Sequence, residues 1–391
     1  MLAKGAPCAL LQAADPLWRA RRVSHEVAAV FAAEVDQQAR FPVEAISALA
    51  DERLLGAAVP AALGGLGLGI TDLVEIAATL AQGCAATAMI WAMHQIQVAC
   101  LARHDHASPF VRRWLAKAAA DQLLIASVTS EVGTGGDIRT SIAAVEPDGA
   151  NRYRLDKHGA TISYGAQAHA LLATARRGPA ADAGDQVLVL LPTSPGTLEP
   201  TGRWDTLGMR GTCSPPGRLR ATLDADQILR EPFADICAQT MVPYSHILWA
   251  ACWRGIASDA VCRARQYARA RAARGGGVDR RLADAASRLQ QLQAMVSQTA
   301  RAYAGRGAQD DSAVDLGLAI QLNQLKLGAS ELVVRIVSLA LGICGIAGYQ
   351  NDGPYALGRH LRDAYSAGCM INNERLREAN AGMLLLAKGV L

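Results

Sequence analysis

A glycine-rich stretch in the first half of the chain, TSEVGTGGD from Thr129 to Asp137, has the composition of a ligand-binding turn. A phosphate-binding P-loop needs a Lys-Ser or Lys-Thr pair after its last glycine, and a dinucleotide fingerprint needs GxGxxG at the start of a helix. Neither pattern is present, and the charge of Asp137 would oppose a phosphate placed directly over it. The turn instead offers bare backbone N–H groups to a flat or anionic ligand.

The elements that position this turn follow from the spacing of the apolar residues. LLIASVTS before it and IRTSIAAVE after it alternate like strands, so we expect the turn to join two strands. Short strand-like segments separated by PDG, GP, SPG and PPG turns continue to about residue 235. On both sides of this zone, apolar residues recur three and four apart, as they do in amphipathic helices.

The order helical, β, helical predicts three domains and an α+β fold that is mainly α. We expect an N-terminal helical domain over residues 1–120, a middle β-barrel or β-sandwich domain over 121–235 and a C-terminal four-helix bundle over 236–391. A flat ligand on the glycine-rich turn would then lie in the seam between the β domain and a helical domain.

Composition and charge exclude several classes of protein. With 391 residues, 51% of them hydrophobic, the chain can bury a large core, and its net charge of +4 is too small to favour nucleic acid. The apolar stretch at 54–70 is interrupted by proline and glycine, and the one at 336–349 is shorter than the roughly 20 residues that a membrane span needs. Scattered cysteines without CxxC spacing, and His104 and His106 without a third ligand, predict reduced thiols, a cytoplasmic location and no metal site.

Five segments together resemble the acyl-CoA dehydrogenase family, and the resemblance covers nearly the whole chain. TSEVGTGGD is similar to the family's TEPxxGSD loop, and PAALGGLGLGITDLVEIAATLA is similar to its PxxxGGxG segment before a helix. DTLGMRGTCS resembles LGWRGTxS, and GIAGYQ followed by GRHLRDAYSA resembles GGxGY followed by RxxRDA. Because the segments occur in the family's order, the resemblance implies the three-domain fold of these flavoenzymes.

The resemblance implies FAD as the ligand of the glycine-rich turn, because the family's TEPxxGSD loop lies beside the flavin ring and pyrophosphate. The family's KxWIT strand matches residues 159–163, where Thr161 replaces the tryptophan over the flavin and Ser163 replaces the threonine near its reactive edge. The flavin contacts implied in these two segments are Thr129, Ser130, Gly135, Gly136, Thr161 and Ser163.

The remaining implied flavin contacts are Arg271, Gly345, Gly348 and Asn373. Arg271 matches the arginine of the family's RxxFG segment, which approaches the flavin pyrophosphate from a second subunit, although the phenylalanine of that segment is absent here. The glutamine usually found ahead of GGxG falls on Gly342. Family members are usually dimers or tetramers with the flavin held between two subunits, so the resemblance implies a homo-oligomer.

The reaction that the resemblance implies is α,β-dehydrogenation of an acyl thioester carried by CoA or an acyl-carrier protein. A glutamate base just after RDA removes the α-proton while the flavin takes a hydride, and the electrons then pass to a flavoprotein or to oxygen. The equivalent position here falls on Ile371 or Asn372. Some members place the base on an earlier helix, at the position of Ser245, which His246 follows. A glutamate is absent at both positions.

Three interpretations follow from the missing glutamate. In the first, which the resemblance favours, another residue is the base: His246, an imidazole whose ordinary pKa is about 6.5, or Glu374, a little beyond the usual site. In the second, reduced flavin and oxygen carry out a monooxygenase reaction on the same fold. In the third, the chain binds flavin or thioester without turnover, or is only a subunit that completes a partner's site. Trp249 and Trp253, on the predicted helix of His246, either pack in the core or line an acyl pocket.

Overall fold

The computed structural model describes residues 15–104, 108–306 and 315–387, and its first part is helical. The helices there are α1 (Pro16–Arg22), which continues through the π-helical segment Val23–Ala28 into α2 (Ala29–Gln38), then α3 (Val43–Asp51), α4 (Ile70–Gly83), α5 (Ala85–His104) and α6 (Pro109–Asp121). Local sequence sets their starts. Ser108 caps α6 by accepting a hydrogen bond from the Val111 amide, and Pro109 occupies the first helical position.

The middle part contains two sheets. Their strands, among the described residues, are β1 (Ile125–Val128), β2 (Glu146–Pro147), β3 (Arg152–Gly159), β4 (Ala170–Arg176), β5 (Gln186–Pro192), β6 (Leu198–Pro200) and β7 (Gly217–Asp224). The first sheet has the order β1-β4-β5, with β1 parallel to β4, and the second has the antiparallel order β2-β3-β7-β6. β4 and β5 are buried on both faces, whereas β3 and β7 alternate, so the second sheet has one solvated face.

The segment after the glycine-rich turn differs from the strand that its alternation predicts. Residues 138–145 are irregular apart from one isolated bridge. Their amide groups find another acceptor, because the Glu131 carboxylate accepts hydrogen bonds from the Ile142 amide at 3.1 Å and from the Ala143 amide at 2.7 Å. A buried carboxylate therefore takes the place of a neighbouring strand as the partner of this backbone.

The last part is a helical bundle. Its helices are α7 (Phe233–Ile236), which a π-helical segment (Cys237–Met241) joins to α8 (Val242–Ala272), then α9 (Arg281–Ala304), α10 (Leu316–Cys344), α11 (Ile346–Tyr349), α12 (Gly358–Cys369) and α13 (Asn373–Leu386). α12 and α13 are separate helices, because the chain turns at Ile371 with a φ of 55°. The expected α+β class, mainly α with a middle sheet region, is confirmed.

Among the described residues, two helices, α5 and α10, are long and apolar enough to cross a membrane by length and composition alone. In α5, 89% of the most apolar window is buried inside this chain, as in the core helix of a globular domain. In α10 the buried share is 44%, and the apolar run at 336–349 overlaps this 29-residue helix. The run is therefore part of a longer apolar helix than its own length suggested.

Candidate functional site

The glycine-rich turn is an open backbone surface. Gly133, Gly135 and Gly136 have φ angles of 98°, 62° and 78°, which side-chain-bearing residues rarely adopt. A Cβ atom added at Gly135 or Gly136 would meet nothing within 4 Å, so the space above them is free. The charge of Asp137, expected to oppose a phosphate, is paired with Arg139 through two hydrogen bonds.

Hydroxyl groups hold the turn, the segment after β3 and the segment that resembles LGWRGTxS together. Ser130 Oγ donates to the Thr161 carbonyl at 2.8 Å and accepts from the Thr161 amide at 3.1 Å. Ser163 Oγ lies 2.9 Å from Ser214 Oγ, in the segment that resembles LGWRGTxS. Thr129 Oγ1 is 3.3 Å from the Ser127 hydroxyl at the end of β1. These contacts bring three separate parts of the sequence to one polar surface.

Glu131, inside the same turn, has a structural role. Its carboxylate is buried and pairs with the buried Lys157 ammonium at 3.2 Å, and Ser141 Oγ donates to it at 2.7 Å. Burial opposes ionisation, but Lys157 and the hydrogen bonds outweigh it and lower the pKa of Glu131 below its usual value. The carboxylate is therefore charged, and it ties the turn to β3.

His246 lies in the first turn and a half of α8 and is 1% exposed. Its Nδ1 is 3.2 Å from the Leu322 carbonyl of α10. Burial, with a smaller contribution from the Lys326 charge, lowers the pKa of His246 to about 4. The imidazole is therefore neutral at pH 7 and is a weaker base than an ordinary histidine.

A buried lysine lies beside the position of the missing glutamate. Lys326, one turn beyond Leu322 on α10, donates to the Ile371 carbonyl and to Asn373 Oδ1, each at 2.6 Å. Asn373 in turn donates to Ser330 Oγ at 3.1 Å. Ile371 is β-branched and has a left-handed backbone, a strained conformation that such residues seldom adopt without outside support. Lys326 supplies part of that support.

The two other candidates after RDA face away from this lysine. Asn372 caps α13, because its Oδ1 accepts a hydrogen bond from the Glu374 amide at 2.8 Å. The Glu374 side chain is 73% exposed and forms an ion pair with Arg377, which also pairs with Glu331 of α10. This geometry favours a surface ion pair for Glu374 over proton abstraction in a buried site.

The α12–α13 turn and the glycine-rich turn are connected. Arg375, in the first turn of α13, donates to the Gly135 carbonyl at 2.9 Å. His246 contacts Leu322 of α10, and Lys326 of the same helix contacts Ile371, four residues before Arg375. A chain of contacts therefore links α8, α10 and the α12–α13 turn, and Arg375 connects that turn to the glycine-rich turn.

The remaining implied flavin contacts lie elsewhere in the chain, apart from Asn373. Arg271 is exposed in the last turn of α8, which at 1.5 Å per residue lies about 37 Å along the helix from His246. Gly345 follows α10 and Gly348 lies in α11, at the same end of the bundle as Arg271. Within one chain, these residues therefore lie far from the glycine-rich turn.

The residues of the turn fit a flavin. They present unhindered backbone at Gly135 and Gly136, uncharged hydroxyls at Ser130, Thr161 and Ser163, and an acidic residue neutralised by Arg139. A flat heterocycle with hydrogen-bonding edges requires this kind of surface.

Sequence reasoning missed Lys326 and Arg375. The only signal for Lys326 was a lone lysine within the apolar sequence of α10, whereas its partner Ile371 is 45 residues away. For the metal prediction, His104 is bonded to Glu231 and Thr240, and Asp105 and His106 lie outside the described residues.

Comparison with known proteins agrees with this fold. Two protein families, "Acyl-CoA dehydrogenase, N-terminal domain" and "Acyl-CoA dehydrogenase, C-terminal domain", match residues 18–122 and 236–370, together more than half of the chain. The chain is 29% identical over 374 residues to L-evernosamine nitrososynthase from Micromonospora sp. (strain ATCC 39149 / NRRL 15099 / SCC 1413). The match covers 87% of this chain and 82% of that relative.

Two solved structures show the same fold at low sequence identity. FMN-bound TdsC from Paenibacillus sp. A11-2 superposes with a TM-score of 0.83 at 21% identity, covering 95% of this chain and 97% of the other. Butyryl-CoA dehydrogenase from Megasphaera elsdenii gives a TM-score of 0.83 at 19% identity, covering 96% and 98%. With both domain descriptions matched in order around the observed sheets, this chain belongs to the acyl-CoA dehydrogenase family of flavin oxidoreductases and oxygenases.

Proposed function

We propose that this protein is a flavin-dependent monooxygenase that uses reduced flavin and molecular oxygen to oxidise a small polar substrate. One observation carries the proposal. At the two positions where the family's dehydrogenases carry a glutamate base, this chain has Ile371 or Asn372 and Ser245. The neighbour of Ser245, His246, is buried and neutral, and the charge of Lys326, which contacts Ile371, acts on it.

These charges suit the monooxygenase better than the dehydrogenase. Removing an α-proton requires a base with a pKa near the working pH, and burial lowers the pKa of His246 to about 4. A protonated imidazole formed next to Lys326 would also be repelled by its positive charge. Dehydrogenation through His246 therefore stays a prediction that this geometry disfavours.

A monooxygenase needs no α-proton base. When bound, reduced flavin supplies the two electrons that, with oxygen and two protons, put one oxygen atom into the substrate and release the other as water. The chain itself orients the reactants: Ser130, Thr161 and Ser163 offer hydroxyls at the glycine-rich turn, and the Lys326–Ile371 contact closes the site on the helical side.

The relatives support this class of reaction. The relative at 29% identity is named a nitrososynthase, and a neighbouring structure of TdsC is described as dibenzothiophene monooxygenase. The TdsC structure also holds FMN, whereas the family resemblance implies FAD, so the flavin of this protein is proposed only as FMN or FAD.

The test is an oxygen-uptake assay in which a separate flavin reductase and NADH supply reduced FMN or reduced FAD. A panel of aromatic heterocycles, amines and organosulfur compounds is added, and products are analysed by mass spectrometry under ¹⁸O₂. We expect one labelled oxygen atom in the product of at least one substrate class. Ser130→Ala is the matched site variant and should lower turnover. Oxygen uptake that yields hydrogen peroxide alone, with every compound unchanged, would contradict the proposal.

A further inference from the structure

Three buried polar atoms on α8 have no hydrogen-bond partner among the described residues: His246 Nε2, Trp249 Nε1 and Trp253 Nε1. The three residues are spaced by three and four positions, so their side chains lie on one face of the helix. Buried polar atoms are almost always paired, and an unpaired one calls for an explanation such as a ligand or an ordered water molecule. Three on one face point to a polar molecule that binds there.

The contact between His246 and α10 fixes which nitrogen of the imidazole is bare. The Leu322 carbonyl, 3.2 Å from Nδ1, can only accept a hydrogen bond, so Nδ1 carries the proton of the neutral ring. Nε2 is then a lone-pair acceptor. The nearby Lys326 ammonium disfavours a second proton on the ring, which keeps Nε2 an acceptor at neutral pH.

Trp249 supplies the complementary group. Its indole N–H can only donate, and its ring centroid lies 6.5 Å from that of His246, with an angle of 42° between the rings. Unlike His246 and Trp253, Trp249 is only half-buried, so this end of the face borders accessible space. A buried acceptor and a buried donor therefore lie on neighbouring rings of one helix face, both unsatisfied.

We propose that His246 and Trp249 form a specificity subsite that binds an uncharged hydroxyl or amine of the substrate. The bound group donates its hydrogen to His246 Nε2 and accepts from the Trp249 N–H through the same oxygen or nitrogen atom. The inference rests on the proposed function, because it names the substrate class of that site. It also gives His246 a role in recognition and not in proton abstraction.

Charge and position narrow the ligand further. The Lys326 ammonium would repel a cationic ligand, so an amine binds in its neutral form. An aliphatic acyl chain has no group that can satisfy either atom and would leave both unpaired. Lys326, whose charge acts on His246, also holds the Ile371 carbonyl in the turn that Arg375 connects to Gly135.

The test compares two probes of nearly equal size, benzyl alcohol and toluene, added to the flavin-free protein. The Trp249 indole N–H resonance, assigned from its absence in Trp249→Phe, reports occupancy in heteronuclear NMR spectra. We expect benzyl alcohol to bind about tenfold more tightly than toluene, equivalent to one to two net hydrogen bonds. The preference for benzyl alcohol over toluene should fall to about twofold in His246→Leu and in Trp249→Phe. In Trp249→Phe it is read from the other resonances that the probes shift.

Two further variants make the outcome decisive. His246→Gln keeps an acceptor and a donor and should retain part of the preference even if His246→Leu folds poorly. Trp114→Phe, a buried tryptophan of α6, should retain all of it. Equal affinity for the two probes, or an unchanged preference in both subsite variants, would overturn the inference. The inference would also be overturned if neither probe shifts the indole resonance and that resonance cross-relaxes with water. This result would show that a buried water molecule alone occupies the site.

The experiment needs neither flavin nor oxygen. Failure of the monooxygenase assay with a retained preference for benzyl alcohol would reject the proposed reaction and leave the subsite intact. The reverse result would reject the subsite alone.

Discussion

Lys326 is the residue whose chemistry most changes how this site is understood. It is buried in an apolar helix, and the hydrogen bonds of its ammonium go to a carbonyl and an amide oxygen, both uncharged. Burial lowers its pKa from 10.5 to about 8, with Cys369 and Arg377 as the other charged or titratable groups that act on it. A lysine placed in this way lowers stability in its charged form and has to be retained for another reason.

Stability should therefore depend on pH through this lysine. Because the folded pKa lies below the unfolded one, the unfolded chain binds more protons between about pH 8 and 10.5, and stability from this group rises with pH in that window. We expect Lys326→Met to remove about 2 kcal/mol of that rise. The measurement is the urea unfolding free energy of both proteins at pH 7 and pH 10.

The control for this prediction is Lys117→Met. Lys117 is an exposed lysine that pairs with Asp121 on α6, and its removal should leave the pH dependence as it is in the wild type. Parallel pH curves for the wild type and Lys326→Met would show that Lys326 titrates normally and is not held in a buried site.

At the scale of elements, the buried pair of Glu131 and Lys157 holds the glycine-rich turn in place. The carboxylate satisfies two amides of residues that alternate like a strand, and the ammonium also donates to the Thr174 carbonyl and hydroxyl in β4, each at 2.9 Å. The turn is thus tied to both sheets. Its open backbone at Gly135 and Gly136 can stay exposed because the rest of the turn is fixed.

Glu131→Gln should destabilise the protein strongly, because the Lys157 charge would remain buried without its carboxylate partner. We expect a loss of about 3 kcal/mol in unfolding free energy, measured by urea denaturation at pH 7. Adding Lys157→Met to Glu131→Gln should recover part of the loss, since the unpaired charge is then gone. If Lys157→Met lowers the unfolding free energy of Glu131→Gln as much as it lowers that of the wild type, the two residues are not coupled as described.

The elements also show what the sequence can predict. The helical zones and β4, β5 and β7 follow from local period, since each such segment buries the face that its pattern marks. IRTSIAAVE and the break at Ile371 do not follow from it. In each case one charged side chain from outside the segment fixes its backbone. Glu131 does so for IRTSIAAVE, and Lys326 does so for Ile371. Contacts of this kind leave no periodic signal.

At the scale of the whole molecule, segments far apart in sequence meet in a few close contacts. The Met209 amide, in the LGMRGTCS segment, donates to Asp363 Oδ1 of the RDA segment at 2.7 Å. A Cβ atom at Gly208 would lie 2.1 Å from the Arg362 carbonyl, so only glycine permits this approach. Burial raises the pKa of Asp363 to about 6, so this link between the middle part and the bundle becomes sensitive to mildly acidic pH. The family motifs that could be recognised in sequence are largely such packing contacts.

The separation of Arg271 from the glycine-rich turn bears on which flavin is bound. If a second copy of the chain supplies Arg271 to the pyrophosphate of FAD, Arg271→Ala should weaken FAD binding about tenfold, because one charge-assisted contact is lost. FMN has no pyrophosphate, so its affinity should not change. Fluorescence titration with each flavin measures both. Arg301→Ala, an exposed arginine of α9, is the control, and equal losses for FAD and FMN would reject this role for Arg271.

The most direct test of the central claim is anaerobic. Protein loaded with oxidised flavin is mixed with a panel of acyl-CoAs of short, long and branched chains, and the visible flavin absorbance is followed without oxygen. A site without a glutamate at either position, in which His246 is neutral and Lys326 contacts Ile371, should leave the flavin oxidised with every thioester. Bleaching by any acyl-CoA would contradict this account and establish dehydrogenation by a base other than glutamate.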